Sequence, residues 1–332
     1  MSVTVIKTFE KRGKTGHIYE VRDGKVRALF SDVGATWIAF FVPDRDGVER
    51  NVIKGPESLE DIWTNSGSKG AIIGRNANRI AGGKCKIGQK TCVLEKNNGN
   101  NNLHSGPDNY KFRTYKTYFE PRGSKITFSL FSPDGDQGFP GNLNLYVSYS
   151  LVKGALVIRY EALCDKETVI NMTNHAYFNL DGAESREIFS QNVEICADTY
   201  SVIDKNFIPK KTASVCGTPM DFQGGRKIGD ALQETFPQTR LAGGFDHNYF
   251  VAGYDGTVRK CASAFSEKTG IHMDVYTDLP CVQFYTGNGL KDSQSAYCFE
   301  TQYPPNSVNA QGGLRPVFPA GTLYRHYTVY RF

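Results

Sequence analysis

Residues 142–164 read NLNLYVSYSLVKGALVIRYEALC and contain two runs in which apolar residues alternate with other residues. Every second residue is apolar over 143–151 and again over 156–164, with mostly polar residues between them. This period of two predicts two half-buried β-strands, each with one face toward a core. Lys153-Gly154 separates the two runs as a turn.

Turn signals recur at short intervals along the rest of the chain, most strongly at three Asp-Gly pairs: Asp46-Gly47, Asp134-Gly135 and Asp255-Gly256. Many short strands with turns between them are typical of a β-sandwich and argue against βαβ units. Helical spacing occurs only in PESLEDIWTN (56–65) and RKIGDALQE (226–234), which indicate short helices beside a sheet. Because there is no repeat or linker-like segment, we expect an all-β protein with a single domain over 1–332.

The net charge indicates which kinds of partner the protein binds, and the cysteines indicate the compartment in which it works. The net charge of +5 comes from an even mixture of 39 basic and 34 acidic side chains, which does not fit a nucleic-acid or anionic-membrane surface. No run approaches the roughly 20 apolar residues of a membrane span, and the N-terminus lacks the pattern of a secretory signal. The eight cysteines, mostly in apolar runs and without a C-x-x-C pair, favour buried free thiols. We expect a cytoplasmic protein, a monomer or weak dimer, with a neutral small-molecule partner.

Four polar clusters interrupt the strand-like sequence, and each has a structural explanation beside a functional one. In GRNANRIAGGK (74–84), Arg75 and Arg79 lie four residues apart, which alone fits a solvated basic surface. In NNLHSG (101–106), His104 follows an asparagine-rich loop and could be a surface or capping residue. Such loops also gather side-chain amides, which suit sugar hydroxyls because each hydroxyl both donates and accepts.

The third cluster, TNHAYFNL, places His175 between polar and aromatic residues. Asn174 and Asn179 could fix the tautomer of the imidazole. Tyr177 and Phe178 would supply apolar walls to a pocket. A structural hydrogen-bonding role in the core fits His175 equally well.

The fourth cluster is YCFETQYPPNSVN (297–309), in which Glu300 follows an apolar run. Partial burial would raise the pKa of this carboxyl toward the range of a general base, whereas a salt bridge to an arginine is the structural alternative. Asp246 in GGFDHNYF and Gln283 in DLPCVQFYTGN also interrupt apolar runs, and each fits a turn. No G-x-S-x-G elbow or Cys/His pair indicates a nucleophilic hydrolase. The polar residues form an acid/base set suited to proton transfer on a hydroxyl-rich neutral substrate.

Eight motifs occur in one order along the chain: GRNANRIAGGK, NNLHSG, SPDGDQGFPGNL, TNHAYFNL, FDHNYF, VQFYTGN, FETQYPPNSVN and YRHYTVYRF. Together they resemble the galactose mutarotase (aldose 1-epimerase) family over nearly the whole chain. The resemblance implies a β-supersandwich fold without a metal or an organic cofactor. It also implies that the protein interconverts the α and β anomers of free aldohexoses, such as galactose and glucose, by opening and reclosing the ring.

The resemblance implies a role for each matching residue. Glu300 would accept the proton of the anomeric hydroxyl, and His175 would donate a proton to the ring oxygen. His104 could share or modulate that donation. Arg75 would have a structural or supporting role. The residues implied to contact the sugar are Asn78, Arg79, His104, Asp246 and Gln283.

Two other functions remain compatible with the sequence. A sugar-binding protein of the same fold without useful turnover would not need a matched acid and base, so the presence of Glu300 and His175 favours the enzyme. An epimerase of phosphorylated hexoses would need further cationic side chains at the rim of the pocket. The candidates for that role are Arg75, Lys84 and Lys86.

Overall fold

The computed structural model describes residues 1–332, which form strands with a few short helices, as predicted. The strands are β1 Ser2–Lys11, β2 Lys14–Asp23, β3 Val26–Ser31, β4 Thr36–Pro43, β5 Glu49–Asn51, β6 Ile72–Ile73, β7 Arg79–Ile80, β8 Lys84–Ile87, β9 Lys90–Val93, β10 Asn102–Leu103, β11 Lys116–Phe119, β12 Lys125–Ser132, β13 Leu143–Val152, β14 Ala155–Cys164, β15 Thr168–Val169, β16 Thr173–Asn174, β17 Asn192–Ile195, β18 Ala197–Ile203, β19 Pro209–Ser214, β20 Arg226–Lys227, β21 Asp246–Val251, β22 Arg259–Phe265, β23 His272–Thr277, β24 Cys281–Tyr285, β25 Cys298–Gln302, β26 Val317–Phe318 and β27 Leu323–Arg331.

The helices are all short. The α-helices are α1 Leu59–Thr64, α2 Ile228–Gln233 and α3 Pro237–Ala242. Single 3-10 turns span Ser66–Ser68, Ala81–Gly83, Tyr110–Phe112, Asp136–Gly138 and Ser307–Asn309. None of these helices has the length and apolar content that a membrane crossing requires.

Three antiparallel sheets carry most of the strands. The largest has nine strands in the order β11-β12-β13-β14-β27-β23-β22-β17-β20, and β1 to β5 form a five-stranded sheet in chain order. The third sheet has the order β19-β18-β21-β24-β25. Four two-stranded ribbons complete the set: β10-β7, β15-β26, β16-β6 and β8-β9. Because β27 lies between β14 and β23, the end of the chain joins the two halves of the largest sheet.

Strands β13 and β14 confirm the alternating pattern of the sequence. Leu143 and Leu145 are buried in β13, whereas Asn144 between them is exposed. The two strands pair antiparallel in continuous register, and Lys153-Gly154 closes the hairpin between them. Both turn residues have positive φ, of 49° and 80°, as the type I′ hairpin turn requires.

An aromatic cluster lies within the main core of 58 buried residues. The Trp37 ring centroid is 5.3 Å from that of Phe40, 5.7 Å from that of Phe178 and 5.5 Å from that of Tyr330. Edge-to-face and tilted contacts of this kind stabilise a core beyond the area they bury. Phe178 is therefore a core residue, and the expectation that it walls a pocket is wrong.

The two predicted helical segments are confirmed as α1 and α2, whereas α3 lies outside those two segments. Helix α1 begins after Ser58, whose hydroxyl accepts from the Asp61 N–H at 3.1 Å. Helix α3 has Pro237 at its first position and ends at Gly243, which has a φ of 68°. Proline at the start and glycine just past the end are helix boundary signals, so the sequence did contain the information.

All eight cysteines are free thiols, in agreement with the expectation from the sequence. Six of them are buried, Cys196 is half-buried and Cys216 is exposed. The expectation of burial is therefore wrong for Cys216, which follows the edge strand β19. Cys85 and Cys92 face each other across the β8-β9 ribbon.

The Arg75 guanidinium joins several loops in the interior and is fully buried. Its Nη1 donates to the Pro140 carbonyl at 2.8 Å, and its Nη2 donates to the Gly141 carbonyl at 2.9 Å and to Ser132 Oγ at 2.8 Å. A further bond from Nη1 reaches Thr168 Oγ1 at 3.2 Å. The alternative of a solvated basic surface is therefore wrong for Arg75, which has a structural role.

Replacing Arg75 with methionine should lower the free energy of unfolding by about 3–5 kcal/mol, because several buried carbonyls would lose their donor. Urea denaturation followed by circular dichroism measures the change. Arg122→Met is the matched control, since Arg122 is exposed and its loss should change stability little. Equal unfolding midpoints for the two variants would contradict the assigned role.

Candidate active site

A cavity of about 260 Å³ gathers most of the residues singled out in the sequence. Six of the seven predicted site residues line it: Asn78, Arg79, His104, His175, Asp246 and Glu300. The other lining residues are Gly67, Ser68, Asn97, Leu103, Asn109, Lys111, Tyr177 and Tyr285. Gln283, the seventh, does not line the cavity.

Strands β21, β24 and β25 place three of the polar side chains. Gln283 is the direct partner of Glu300 on one side and of Asn248 on the other. Asp246 lies two residues before Asn248, so it projects from the same face of the sheet. Phe284 projects from the opposite face and belongs to the main core. The polar face of these strands thus forms part of the site, and the apolar face packs into the main core.

The Glu300 carboxyl is buried and only partly satisfied by the protein. The residue is 3% exposed, its Oε2 has no hydrogen-bond partner, and its Oε1 lies 3.7 Å from His175 Nε2. Burial raises the pKa of Glu300 well above its usual value, and the charge of Asp246 adds to this while that of Arg79 opposes it. Arg79 approaches Asp246, not Glu300, so the salt-bridge alternative for Glu300 is not what the structure shows.

His175 follows the short strand β16 and is packed against aromatic rings. The Tyr177 ring stacks on the imidazole with centroids 5.0 Å apart, and the Tyr177 hydroxyl donates to the Gly67 carbonyl at 2.8 Å. His175 Nδ1 lies 3.5 Å from Cys298 Sγ, so Nε2 is the nitrogen that faces Glu300. Burial lowers the pKa of His175 to about 3, which keeps the resting imidazole neutral at physiological pH.

The two asparagines that flank His175 are bonded elsewhere. Asn174 Nδ2 donates to the Gly70 carbonyl at 2.7 Å, and Asn179 Nδ2 donates to the Ser295 carbonyl at 2.9 Å. The expectation that they fix the tautomer of His175 is therefore wrong. Their amide groups donate to backbone carbonyls of distant segments, and local sequence does not reveal such partners.

His104 is held by a backbone hydrogen bond that fixes its tautomer. The Asn78 N–H donates to His104 Nδ1 at 3.0 Å. A neutral imidazole that accepts at Nδ1 carries its proton on Nε2, so His104 can donate from Nε2. Burial lowers the pKa of His104 well below its usual value, with a further contribution from His175, whose ring centroid lies 5.6 Å away.

Asp246 is held from two directions. Arg79 Nη1 lies 3.6 Å from its Oδ2, and Gln283 Nε2 donates to its Oδ1 at 2.6 Å. The guanidinium is fixed in turn, because Arg79 Nε donates to Asn98 Oδ1 at 3.0 Å and the group sits 4.6 Å from the Phe207 ring centroid. Gln283 therefore holds the carboxylate of a cavity residue and is not itself one of the lining residues.

Lys111 lines the cavity although no motif of the sequence indicates it. It lies in the 3-10 turn Tyr110–Phe112, and its Nζ donates to Ser68 Oγ at 3.2 Å. Burial lowers the pKa of this ammonium to about 8. Its only signal in the sequence is that the turn comes a few residues after His104.

Three buried side chains could together hold a metal ion. His175, Cys298 and Glu300 each offer one ligand atom, and these atoms lie within 4.8 Å of one another. Metal ligands must be deprotonated. Burial raises the pKa of both the Cys298 thiol and the Glu300 carboxyl well above their usual values, so a cation would have to displace two tightly held protons.

The arrangement is suited to moving protons on a polar ligand. A carboxyl and an imidazole, both desolvated, face each other at one point of a cavity lined with amides, a guanidinium and an ammonium. The donors and acceptors around them match a ligand whose hydroxyls need both kinds of partner.

Comparison with known proteins agrees with this geometry. The family model for aldose 1-epimerase matches residues 17–331. The chain is 36% identical to galactose mutarotase from Bos taurus over 95% of this chain and 93% of that one. It is 33% identical to aldose 1-epimerase from Escherichia coli (strain K12), over 91% and 90% of the two chains.

Solved structures show the same fold. The galactose 1-epimerase of Lactobacillus acidophilus NCFM superposes with a TM-score of 0.86 at 26% identity, over 99% of this chain and 98% of that one. An aldose epimerase homologue from C. elegans gives a TM-score of 0.87 at 25% identity, over 95% and 98%. These relatives confirm the resemblance stated from the eight motifs, and the chain belongs to the aldose 1-epimerase family.

Proposed function

We propose that the protein is an aldose 1-epimerase that interconverts the α and β anomers of free aldohexoses, with Glu300 and His175 as its base and acid. The observation that carries the assignment is the 3.7 Å approach of Glu300 Oε1 and His175 Nε2 inside the polar cavity. A general acid and a general base must each reach the atom to which they transfer a proton. The ring oxygen and the anomeric hydroxyl are both bonded to C1, so two groups this close together can reach them at the same time.

Ring opening then moves two protons. In the reactive form of the pair, one proton has passed from Glu300 to His175. The carboxylate then takes the proton of the anomeric hydroxyl while the imidazolium gives its proton to the ring oxygen. The bond between C1 and the ring oxygen breaks, and the open-chain aldehyde forms. Rotation about the C1–C2 bond and closure in the reverse sense produce either anomer, and the closure restores both groups.

Burial determines which protonation state of the pair is the more stable one. Desolvation raises the pKa of Glu300 and lowers that of His175, so the pair is more stable when both groups are neutral. Ring opening converts the ion pair to that neutral pair. The opening step therefore returns the pair to its neutral resting form, and the cost of forming the ion pair is paid before the ring opens.

The remaining contacts would orient the sugar. Asn78, Arg79, His104 and Asp246 line the cavity and offer both donors and acceptors to its hydroxyls. For Gln283 we propose a positioning role, because its amide holds the Asp246 carboxylate. A substrate held in this way gains the orientation term of catalysis as well as affinity.

The three cations considered for a phosphorylated substrate lie outside the cavity. Arg75 is fully buried among carbonyls and hydroxyls, and Lys84 and Lys86 are exposed on β8. None of the three lines the cavity. The cations that the sequence offered for a phosphate are therefore not available to it.

Three further expectations accompany this function as proposals. A core of 58 buried residues, which includes residues near both ends of the chain, supports a single domain over 1–332. The free thiols are compatible with the cytoplasm. The expectation of a monomer or weak dimer stays a prediction from the sequence.

Glu300→Gln should lower kcat by about 10²–10⁴-fold, because the amide has the shape of the carboxyl but cannot accept the proton. Polarimetry of freshly dissolved α-D-galactose, corrected for the buffer rate, measures it. Glu120→Gln is the control, since Glu120 is exposed and outside the cavity. Full activity in Glu300→Gln would refute the base assignment, and no acceleration by the unmodified protein would refute the function.

His175→Ala and His104→Ala should differ in which constant they change. We expect His175→Ala to lose about 10²–10⁴-fold in kcat, since Nε2 of this residue faces Glu300. His104→Ala should mainly raise KM, because His104 has its tautomer fixed as a hydrogen-bond donor. The same polarimetric assay over a range of sugar concentrations separates the two constants. Equal losses of kcat would show that the histidines share the donor role.

The stability of the protein should depend on pH through Glu300. Its pKa is raised in the folded state above the value of about 4.3 expected for the unfolded chain, so its contribution is complete below that value. The contribution is lost as pH rises through the raised folded pKa. Glu300→Gln should therefore become more stable relative to the unmodified protein between pH 4 and pH 8, as measured by urea denaturation. A difference independent of pH would mean that the carboxyl is not desolvated in solution.

A further inference from the structure

Lys111 is a cation inside the active-site cavity that no other role accounts for. The 3-10 turn that carries it is capped by Asn109, whose side chain accepts from the Lys111 N–H at 3.1 Å. The turn lies a few residues after His104 and extends its side chain to the cavity lining. The position of the ammonium is therefore set by the same segment that sets one of the two imidazoles.

The ammonium has few partners in the protein. Its Nζ makes one hydrogen bond, to Ser68 Oγ at 3.2 Å, and lies 4.8 Å from the Phe112 ring centroid. Desolvation alone accounts for the lowering of its pKa, because no carboxylate is close enough to offset it. An ammonium has three donors. Two of them are therefore available to a ligand in the cavity.

The charges in the cavity are distributed between two ends. On one side, contacts connect His175 to Lys111: the Tyr177 ring stacks on the imidazole, the Tyr177 hydroxyl donates to the carbonyl of Gly67, and the next residue, Ser68, accepts from Lys111 Nζ. On the other side, Arg79 approaches Asp246. Lys111 thus lies on the His175 side of the cavity, and it makes no ion pair there.

The order of atoms in a pyranose ring relates this end to one part of the sugar. The ring oxygen joins C1 to C5, and C5 carries the exocyclic C6 group. If Glu300 faces the anomeric hydroxyl and His175 faces the ring oxygen, the next position along the ring is C5 with its substituent. An ammonium on the His175 side of the cavity is then on the side of C6.

We propose that Lys111 recognises the substituent at C6, and that the enzyme also equilibrates the anomers of hexuronic acids, in which C6 is a carboxylate. The proposal rests on the proposed function, since the same acid and base open the ring. A carboxylate fits better than a phosphate, because one ammonium and the Ser68 hydroxyl can satisfy a single charge. Phosphate groups are usually bound by several cationic or backbone donors.

The test compares two sugars that differ only at C6, α-D-galactose and α-D-galacturonic acid, each freshly dissolved and followed by polarimetry at pH 7. We expect the unmodified protein to accelerate both. In Lys111→Met the ratio of kcat/KM for galacturonate to that for galactose should fall by roughly tenfold to a hundredfold, the range of a charge-assisted hydrogen bond. Lys84→Met removes an exposed charge outside the cavity and should leave the ratio unchanged.

Several outcomes would overturn the proposal. Acceleration of galactose but not of galacturonate would refute the uronate activity and leave the proposed function standing, whereas acceleration of neither would refute both. An unchanged ratio in Lys111→Met would refute the role of Lys111. A higher kcat/KM for glucose 6-phosphate than for galacturonate would show that the anionic substrate is a phosphate.

A second measurement does not depend on the folding of a variant. With the unmodified protein, added salt should reduce kcat/KM for galacturonate more than for galactose, because salt screens the attraction between the ammonium and the carboxylate. Equal salt dependence for the two sugars would count against the proposal.

Discussion

The pleat of β21, β24 and β25 is the constraint on which the site depends. Alternate residues of these strands face opposite ways, so Phe284 enters the core while Gln283 and Glu300 build the polar side. A slip of one residue in the register would exchange the two sets, which would bury polar groups in the core and expose aromatic rings. The apolar packing of one face therefore fixes the geometry of the chemistry on the other.

Contacts outside these strands also hold the cavity side chains in position. Asp246 is held between Arg79 and Gln283, and Arg79 is itself held by Asn98 and Phe207. Each of these bonds restricts a side chain that would otherwise sample several rotamers. Desolvated polar groups are costly to bury, and a packed core of aromatic and aliphatic side chains offsets that cost in the same sheet.

The sequence predicted the fold class and most of the residues that line the site. It did not predict which partners those residues contact. The alternation in β13 and β14 was readable because burial on one face imposes a period of two on local sequence. The roles of Asn174, Gln283 and Lys111 were not readable in the same way. Their partners are Gly70, Asp246 and Ser68, which come from other segments, and no local pattern records which distant group a polar side chain will meet.

The 3.7 Å approach of Glu300 and His175 also means that the proposed reaction needs no proton from outside this pair and the sugar. One labile proton is shared by the two groups before the ring opens, and the protons that leave and enter the sugar are exchanged within this pair. Bulk water and buffer need not supply or remove any of them during a turnover. In the proposed reaction, protons would therefore pass only between the sugar and this pair, by the same steps in both directions.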